Sequence, residues 1–300
     1  MRDISGEYGQ GERGRRDGMQ IVSSIREMCS ISDEVRKTGQ TIVLVPTMGY
    51  FHEGHLSLMM EGRKRGDVLV VSLFVNPTQF GDGEGYEVYP RDFSRDKSLI
   101  ERIGVDILFV PALEEMYPEG YQTFLEVERV TKPMEGQFRP THFRGVTTVV
   151  AKLFNIVKPN IAIFGEKDYQ QLVVIRRMVE DLNMGVEIIG MPIVREGDGL
   201  AMSSRNTYLT PEQRKAALSL NRSLKKASEL YRSGERNPTR IIDTVKEVIE
   251  REEGIIIDYV EIRDAKTLEE IEIIDDQAVI ALAMKVGKVR LIDNLVFGEE

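Results

Sequence analysis

The chain has 300 residues, 41% of them apolar and 30% charged, with a formal net charge of -9. This is the composition of an ordinary globular protein of one large or two smaller domains. Its acidic balance disfavours a general nucleic-acid binder, whose affinity comes from neutralising phosphates. No apolar run approaches the roughly 20 residues of a membrane-crossing helix, and the start lacks the apolar core of a signal peptide. A single cysteine, Cys29, excludes an internal disulfide and fits a reducing cytoplasm.

Residues 1–18 are rich in Gly, Arg, Glu and Asp and predict a disordered tail. Met19, just before the apolar Ile21-Val22, is an equally good start for the folded chain. Short, nearly continuous apolar runs then predict strands at 41–45, 68–74, 107–110, 161–164 and 187–191. Helical spacing predicts helices at 56–65, 94–103, 146–157 and 169–182. The alternation implies a Rossmann-like α/β domain over 19–194: a parallel sheet with helices on both faces and ligands at the carboxyl ends of its strands. From 195 the pattern changes. Helices are expected at 211–231, capped by Thr210 with Pro211 at its first position, and at 238–251; strands follow at 255–262, 278–284 and 289–292. These predict a smaller α+β lid domain over 195–300, with the loop Arg195-Glu196-Gly197-Asp198-Gly199 as its hinge.

Two of the chain's three histidines lie in Thr47-Met48-Gly49-Tyr50-Phe51-His52-Glu53-Gly54-His55, after the first of these strands. A strand running through a glycine turn into a helix presents unpaired N–H groups to phosphate, and two imidazoles there can donate to its oxygens. Zinc is the rival reading, but the two histidines stand three apart across a glycine and no second pair of ligands accompanies them. A plain loop is the other. At the next strand end, Asn76-Pro77-Thr78-Gln79 turns the chain outward and would aim the amides of Asn76 and Gln79 at a ligand; a solvent-facing Asn-Pro turn is the alternative. Gly165-Glu166-Lys167-Asp168 places a mobile cation at a third strand end, with Asp168 a candidate helix cap and Gln171 one turn on. Met202-Ser203-Ser204-Arg205 offers two hydroxyls and a guanidinium to phosphate, although alone it reads equally as a surface turn.

Taken together, these segments resemble the pantothenate synthetase (pantoate–β-alanine ligase) family of the nucleotidylyl-transferase superfamily. The matching residues are Pro46 to Gly49 and His52 to Leu58, Phe74 to Phe80, Gly165 to Leu172 and Met202 to Asn206, with His142 to Val146, Leu153 to Pro159 and Arg290 to Asn294 in the expected order. The resemblance runs from about Met19 to Phe297. It implies ATP-dependent condensation of D-pantoate with β-alanine to pantothenate, AMP and pyrophosphate through a pantoyl adenylate, a step of coenzyme A biosynthesis. Residue by residue, it assigns Met48, Gly49, Tyr50, Phe51, His52, Glu53, Gly54 and His55 to ATP, with His55 the family's proton donor. Gly165, Glu166, Lys167 and Asp168 form a second ATP segment, and Val194, Met202, Ser203, Ser204 and Arg205 a third. Gln79 and Gln171 match the pantoate ligands, and Asn76 is a further substrate candidate. His52, His55, Lys167, Ser203, Ser204 and Arg205 are the candidate catalytic groups. Magnesium is expected to arrive with ATP, with Asp96 a candidate to hold it and its ligands otherwise unassigned. A cytoplasmic homodimer is the family expectation. Tyr50-Phe51 departs from the smaller or aliphatic residues common at that position, and the tail has no counterpart. An adenylyltransferase that retains AMP on its product would share the histidine pair, and a non-catalytic nucleotide sensor would share the fold.

Overall fold

The computed structural model describes residues 18–81, 83–275 and 277–298; the tail expected at 1–18 lies outside them except for Gly18. In chain order the elements are β1 (Gln20–Val22), α1 (Ile25–Lys37), β2 (Ile42–Thr47), α2 (Glu53–Arg65), β3 (Val68–Leu73), α3 (Phe93–Glu101), β4 (Ile107–Phe109), α4 (Leu113–Met116), α5 (Glu135–Phe138), α6 (His142–Val157), β5 (Ile161–Gly165), α7 (Tyr169–Asp181), β6 (Glu187–Met191), α8 (Pro211–Ala217), α9 (Ser219–Arg232), α10 (Pro238–Glu250), β7 (Ile255–Asp264), β8 (Ala278–Val286) and β9 (Val289–Val296). Tight 3-10 turns occupy Pro77–Gln79, Glu166–Asp168 and Ser204–Tyr208. Among the described residues no helix is long and apolar enough to cross a membrane.

The chain divides into two compact units. One holds the residues up to 127, 141–164 and 175–191; the other holds 128–140, 165–174 and those from 192 on. The course differs from a single boundary near Arg195. Segment 128–140 falls with the C-terminal residues because buried Glu135 accepts both terminal nitrogens of Arg290 at 2.8 Å and the Tyr259 hydroxyl at 3.0 Å.

In the first unit six strands form one sheet in the order β1-β4-β3-β2-β5-β6, and β1–β4, β4–β3, β3–β2 and β2–β5 run parallel. Side chains alternate between faces along each strand. Val43, Val45, Leu69, Val71, Leu108 and Ile163 pack with Leu58 and Met59 of α2 and Ile100 of α3. Their neighbours Ile42, Leu44, Val70, Phe109 and Ala162 are equally buried on the opposite face, and α1 and α6 also pack on β2. Helices on both faces explain why these strands read as apolar runs. The order reverses at β2, so its carboxyl end is a topological switch point where such sheets bind ligands.

In the second unit β7, β8 and β9 form an antiparallel sheet with β9 at one edge. Ile280, Leu282 and Met284 of β8 join Leu220, Leu224, Ile241, Val245 and Ile249 of the helices in one core. The helix expected over 211–231 is two: ψ of −15° at Leu218 tightens the turn and interrupts the ladder, which resumes where Arg222 N–H reaches Leu218 O at 3.1 Å. Thr210 caps α8 as expected, in a reciprocal box with Gln213.

Candidate active site

At the end of β2 the chain turns through Gly49 (φ 82°) and Tyr50 (φ 53°), both left-handed. A Cβ on Gly49 would stand 3.1 Å from the Asp96 carboxylate, so glycine is needed for conformation and for space. That carboxylate is almost fully buried on α3 and accepts the backbone N–H groups of Tyr50 at 2.6 Å and Phe51 at 2.7 Å. Burial pushes the Asp96 pKa up, against the two N–H bonds that pull it down. Asp96, from sequence one candidate for magnesium, thus locks the turn through both its oxygens.

Phe51 then enters the core with no exposed surface. His52 caps α2 and His55 occupies its third position, their ring centroids 4.1 Å apart. The His52 backbone N–H donates to Nδ1 of His55 at 3.4 Å. A nitrogen that accepts carries no proton, so neutral His55 is protonated at Nε2 and presents an N–H donor at the far edge of its ring. The Phe51 ring meets that of His55 edge-on with centroids 5.7 Å apart, which steadies the imidazole.

The turn Pro77–Gln79 lies in the same unit. Asn76 was expected to face a substrate, but it is buried and its amide is spent on the fold. Nδ2 donates to Gln79 Oε1 at 3.2 Å and Gly145 O at 3.1 Å, while Oδ1 accepts from Thr78 Oγ1 at 3.0 Å and from the Tyr117 hydroxyl at 2.9 Å. Because Gln79 Oε1 accepts from Asn76, the Gln79 amide is oriented with Nε2 toward Met48 Sδ at 3.2 Å. The third histidine of the chain, His142, donates from Nδ1 to the Gln79 carbonyl at 2.9 Å. Gly145 of α6 completes the seat, since its backbone lies directly against Thr78 and Gln79.

In the second unit, Glu166–Asp168 makes the tight turn between β5 and α7. Gln170 is buried as a staple: Oε1 accepts the Glu135 N–H, and Nε2 donates to the carbonyls of Val130 and Pro133. Gln171 is half-buried beside it. The expected hinge at 195–199 is a tied hairpin. Arg195 bridges to Ala201, and its guanidinium grips buried Asp293 at 2.7 and 3.0 Å. Met202 N–H donates to Val194 O at 2.9 Å, which leads straight into Ser203, Ser204 and Arg205. Ser203 caps that turn by accepting the Arg205 N–H at 3.3 Å. Arg195, Arg214 and Arg290 all pair with carboxylates. Among the described residues nothing pairs with the charged heads of Lys167 and Arg205. Both heads are thus available to an anionic ligand.

The family model for pantoate–β-alanine ligase matches residues 20–296, nearly the whole described chain. The chain belongs to the pantoate–β-alanine ligase family. It is 57% identical to the pantothenate synthetase of Geobacter sulfurreducens over 94% of this chain and all of that protein. The solved pantothenate synthetase of Thermus thermophilus superposes with a TM-score of 0.88 at 45% identity, covering 93% of this chain and 99% of that one. The pantoate–β-alanine ligase of Francisella tularensis, solved in complex with β,γ-ATP and β-alanine, gives 0.77 at 34% identity over 93% and 97%. In this member of the family, Tyr117 and the contacts of Gly145 and Asp96 escaped the sequence reading. Each acts across the fold on a residue far from it in the chain, and no local pattern marks such a contact.

Proposed function

We propose that this ligase, which condenses D-pantoate with β-alanine using ATP, works through a pantoyl adenylate. A pantoate carboxylate oxygen attacks the α-phosphorus, the bond to the β-phosphate oxygen breaks, and pyrophosphate leaves. The β-alanine amine then attacks the acyl carbon; the bond to the phosphate oxygen breaks, AMP leaves, and the amine loses its proton to give the amide. Such chemistry asks the protein for positioning, dispersal of phosphate charge and exclusion of water from the mixed anhydride.

The observation that carries the reading is the histidine pair at the N-terminus of α2. His55, held in its Nε2–H form, donates to a phosphate oxygen; His52 and the helix N-terminus add to the same positive end. Gln79 offers Nε2–H to pantoate, and the resemblance assigns Gln171 to the same substrate. Asn76 acts through Gln79 as a positioning residue. The resemblance assigns Met48 to Gly54 of the first unit to ATP, and, taken by itself, the second unit offers Gly165 to Asp168, Val194 and Met202 to Arg205 to phosphate, with Lys167 and Arg205 as the cations and the hydroxyls of Ser203 and Ser204 as donors.

For magnesium the described residues offer no group of three or more His, Cys, Asp or Glu side chains placed to hold an ion. Magnesium would enter on the triphosphate, keep several of its waters and neutralise phosphate charge there. A cytoplasmic homodimer completes the reading on family grounds, and light scattering of the purified protein checks its mass.

The test is ATP–pyrophosphate isotope exchange with D-pantoate and magnesium but no β-alanine. Exchange that depends on pantoate supports the adenylate. Its absence in a protein that still makes pantothenate from all three substrates overturns it. AMP left on the final product would instead favour an adenylyltransferase.

A further inference from the structure

Strand β9 packs against both the Glu166–Asp168 turn and the Ser204–Tyr208 turn. Of its two adjacent residues Asp293 and Asn294, Asn294 reaches the first turn and Asp293 reaches Arg195 of the hairpin that leads into the second. Asn294, buried, donates from Nδ2 to the carbonyls of Glu166 and Lys167, each at 2.9 Å. Asp293, buried, receives both terminal nitrogens of Arg195, and its Oδ1 also accepts the Asn294 N–H at 2.9 Å. Arg195 in turn donates to the Gly199 carbonyl and so closes the hairpin that delivers Ser203, Ser204 and Arg205. Successive side chains on a strand point to opposite sides, so one dipeptide reaches two segments that lie far apart in the sequence.

We propose that Asp293 and Asn294 are positioning residues that hold the second and third nucleotide segments in register from one strand. The inference rests on the assignment of Lys167 and of Ser203 to Arg205 to ATP. Lysine and arginine heads sit on long flexible stems, so their placement is only as accurate as the backbone that carries them. Asn294 fixes that backbone at Lys167 itself. It touches no reacting atom, and its loss should loosen nucleotide binding while leaving the β-alanine end of the reaction intact.

The experiment measures steady-state KM for ATP and for β-alanine, with a thermal melt, in wild type, Asn294→Ala, Asn294→Asp and Lys167→Ala. Ionised aspartate keeps the shape of asparagine but cannot donate, and in its protonated form it can satisfy only one of the two carbonyls, so it removes the paired hydrogen bonds without a cavity. Either Asn294 variant should raise the ATP KM about tenfold with β-alanine KM within about twofold of wild type. An unchanged ATP KM in a folded variant overturns the proposal, as does a parallel rise of both constants, which a general loss of structure would produce. If Asn294→Ala does not fold, Asn294→Asp decides by the same criteria. Lys167→Ala separates the two levels. If it leaves the ATP KM unchanged, the site assignment itself fails; if it raises that KM and the Asn294 variants do not, only the role of Asn294 fails.

Discussion

Gly145 leaves no room between α6 and Thr78: a Cβ at 145 would overlap the Thr78 carbonyl and stand 2.6 Å from the Gln79 nitrogen. Both neighbours are backbone, so neither can rotate away. Gly145→Ala should therefore push the Pro77–Gln79 turn off its seat, lowering stability by about 1–3 kcal/mol and raising the pantoate KM more than the ATP KM. Urea unfolding with steady-state kinetics checks both, and a variant with ordinary pantoate KM would show that the turn tolerates the shift.

His55→Ala removes one preoriented donor to the phosphate. By comparison with the loss of a single oxyanion donor, pantoate-dependent exchange should slow by roughly 10²- to 10³-fold. The melt should move little, because His55 is only half-buried at the start of α2. Near-normal exchange would remove His55 from the chemistry.

Asp96 connects the turn geometry to pH. Burial raises its pKa above the ordinary 3.8, so the folded chain holds the proton more tightly than the unfolded chain does. The Asp96 contribution to stability is then largest at low pH, falls as pH rises from about 3.8 through its folded pKa, and is constant above. Asp96→Asn cannot titrate. The unfolding free energy of wild type minus that of Asp96→Asn should decline across that window, and a difference that rises there would contradict the burial argument.

Arg290 on β9 pairs bidentately with Glu135 and, through Nε, with Asp258 at 2.7 Å, at the β-bulge between Ile257 and Tyr259. Burial opposes the Arg290 charge, but the Glu135 and Asp258 carboxylates outweigh it and hold its pKa above the usual guanidinium value. Burial also drives the Tyr259 pKa well up, helped by the Glu135 charge, so this phenol stays a donor to Glu135. Arg290→Ala leaves buried Glu135 and Asp258 with the longer cation contacts to Arg139 at 3.5 Å and Lys285 at 3.9 Å, and should cost about 3 kcal/mol. Arg290→Met combined with Glu135→Gln should recover part of that loss in the same denaturant titration.

Much of the sheet was legible because its strands are covered on both faces and so read as apolar runs: β6 falls on 187–191 as expected, and β2, β3, β4 and β5 within two residues of expectation at each end. The first two elements were not. Three-residue β1 is too short for periodicity to register, and α1 buries only Met28 and Ser32, too narrow a stripe to stand out among its charges. The break at Leu218 was invisible for a different reason: the sequence around it keeps helical spacing on both sides.

By itself the sequence determined which residue types stand at the strand ends, since glycines, histidines, amides and cations after apolar runs are local patterns with local causes. Only the tertiary structure decided what each of them does. Asn76 is tied to Gln79 and Gly145, and Asp96 to two backbone N–H groups. Arg195 is locked to Asp293, 98 residues away. A buried polar group must find partners, and which partners are within reach depends on how distant segments pack, which no local pattern encodes.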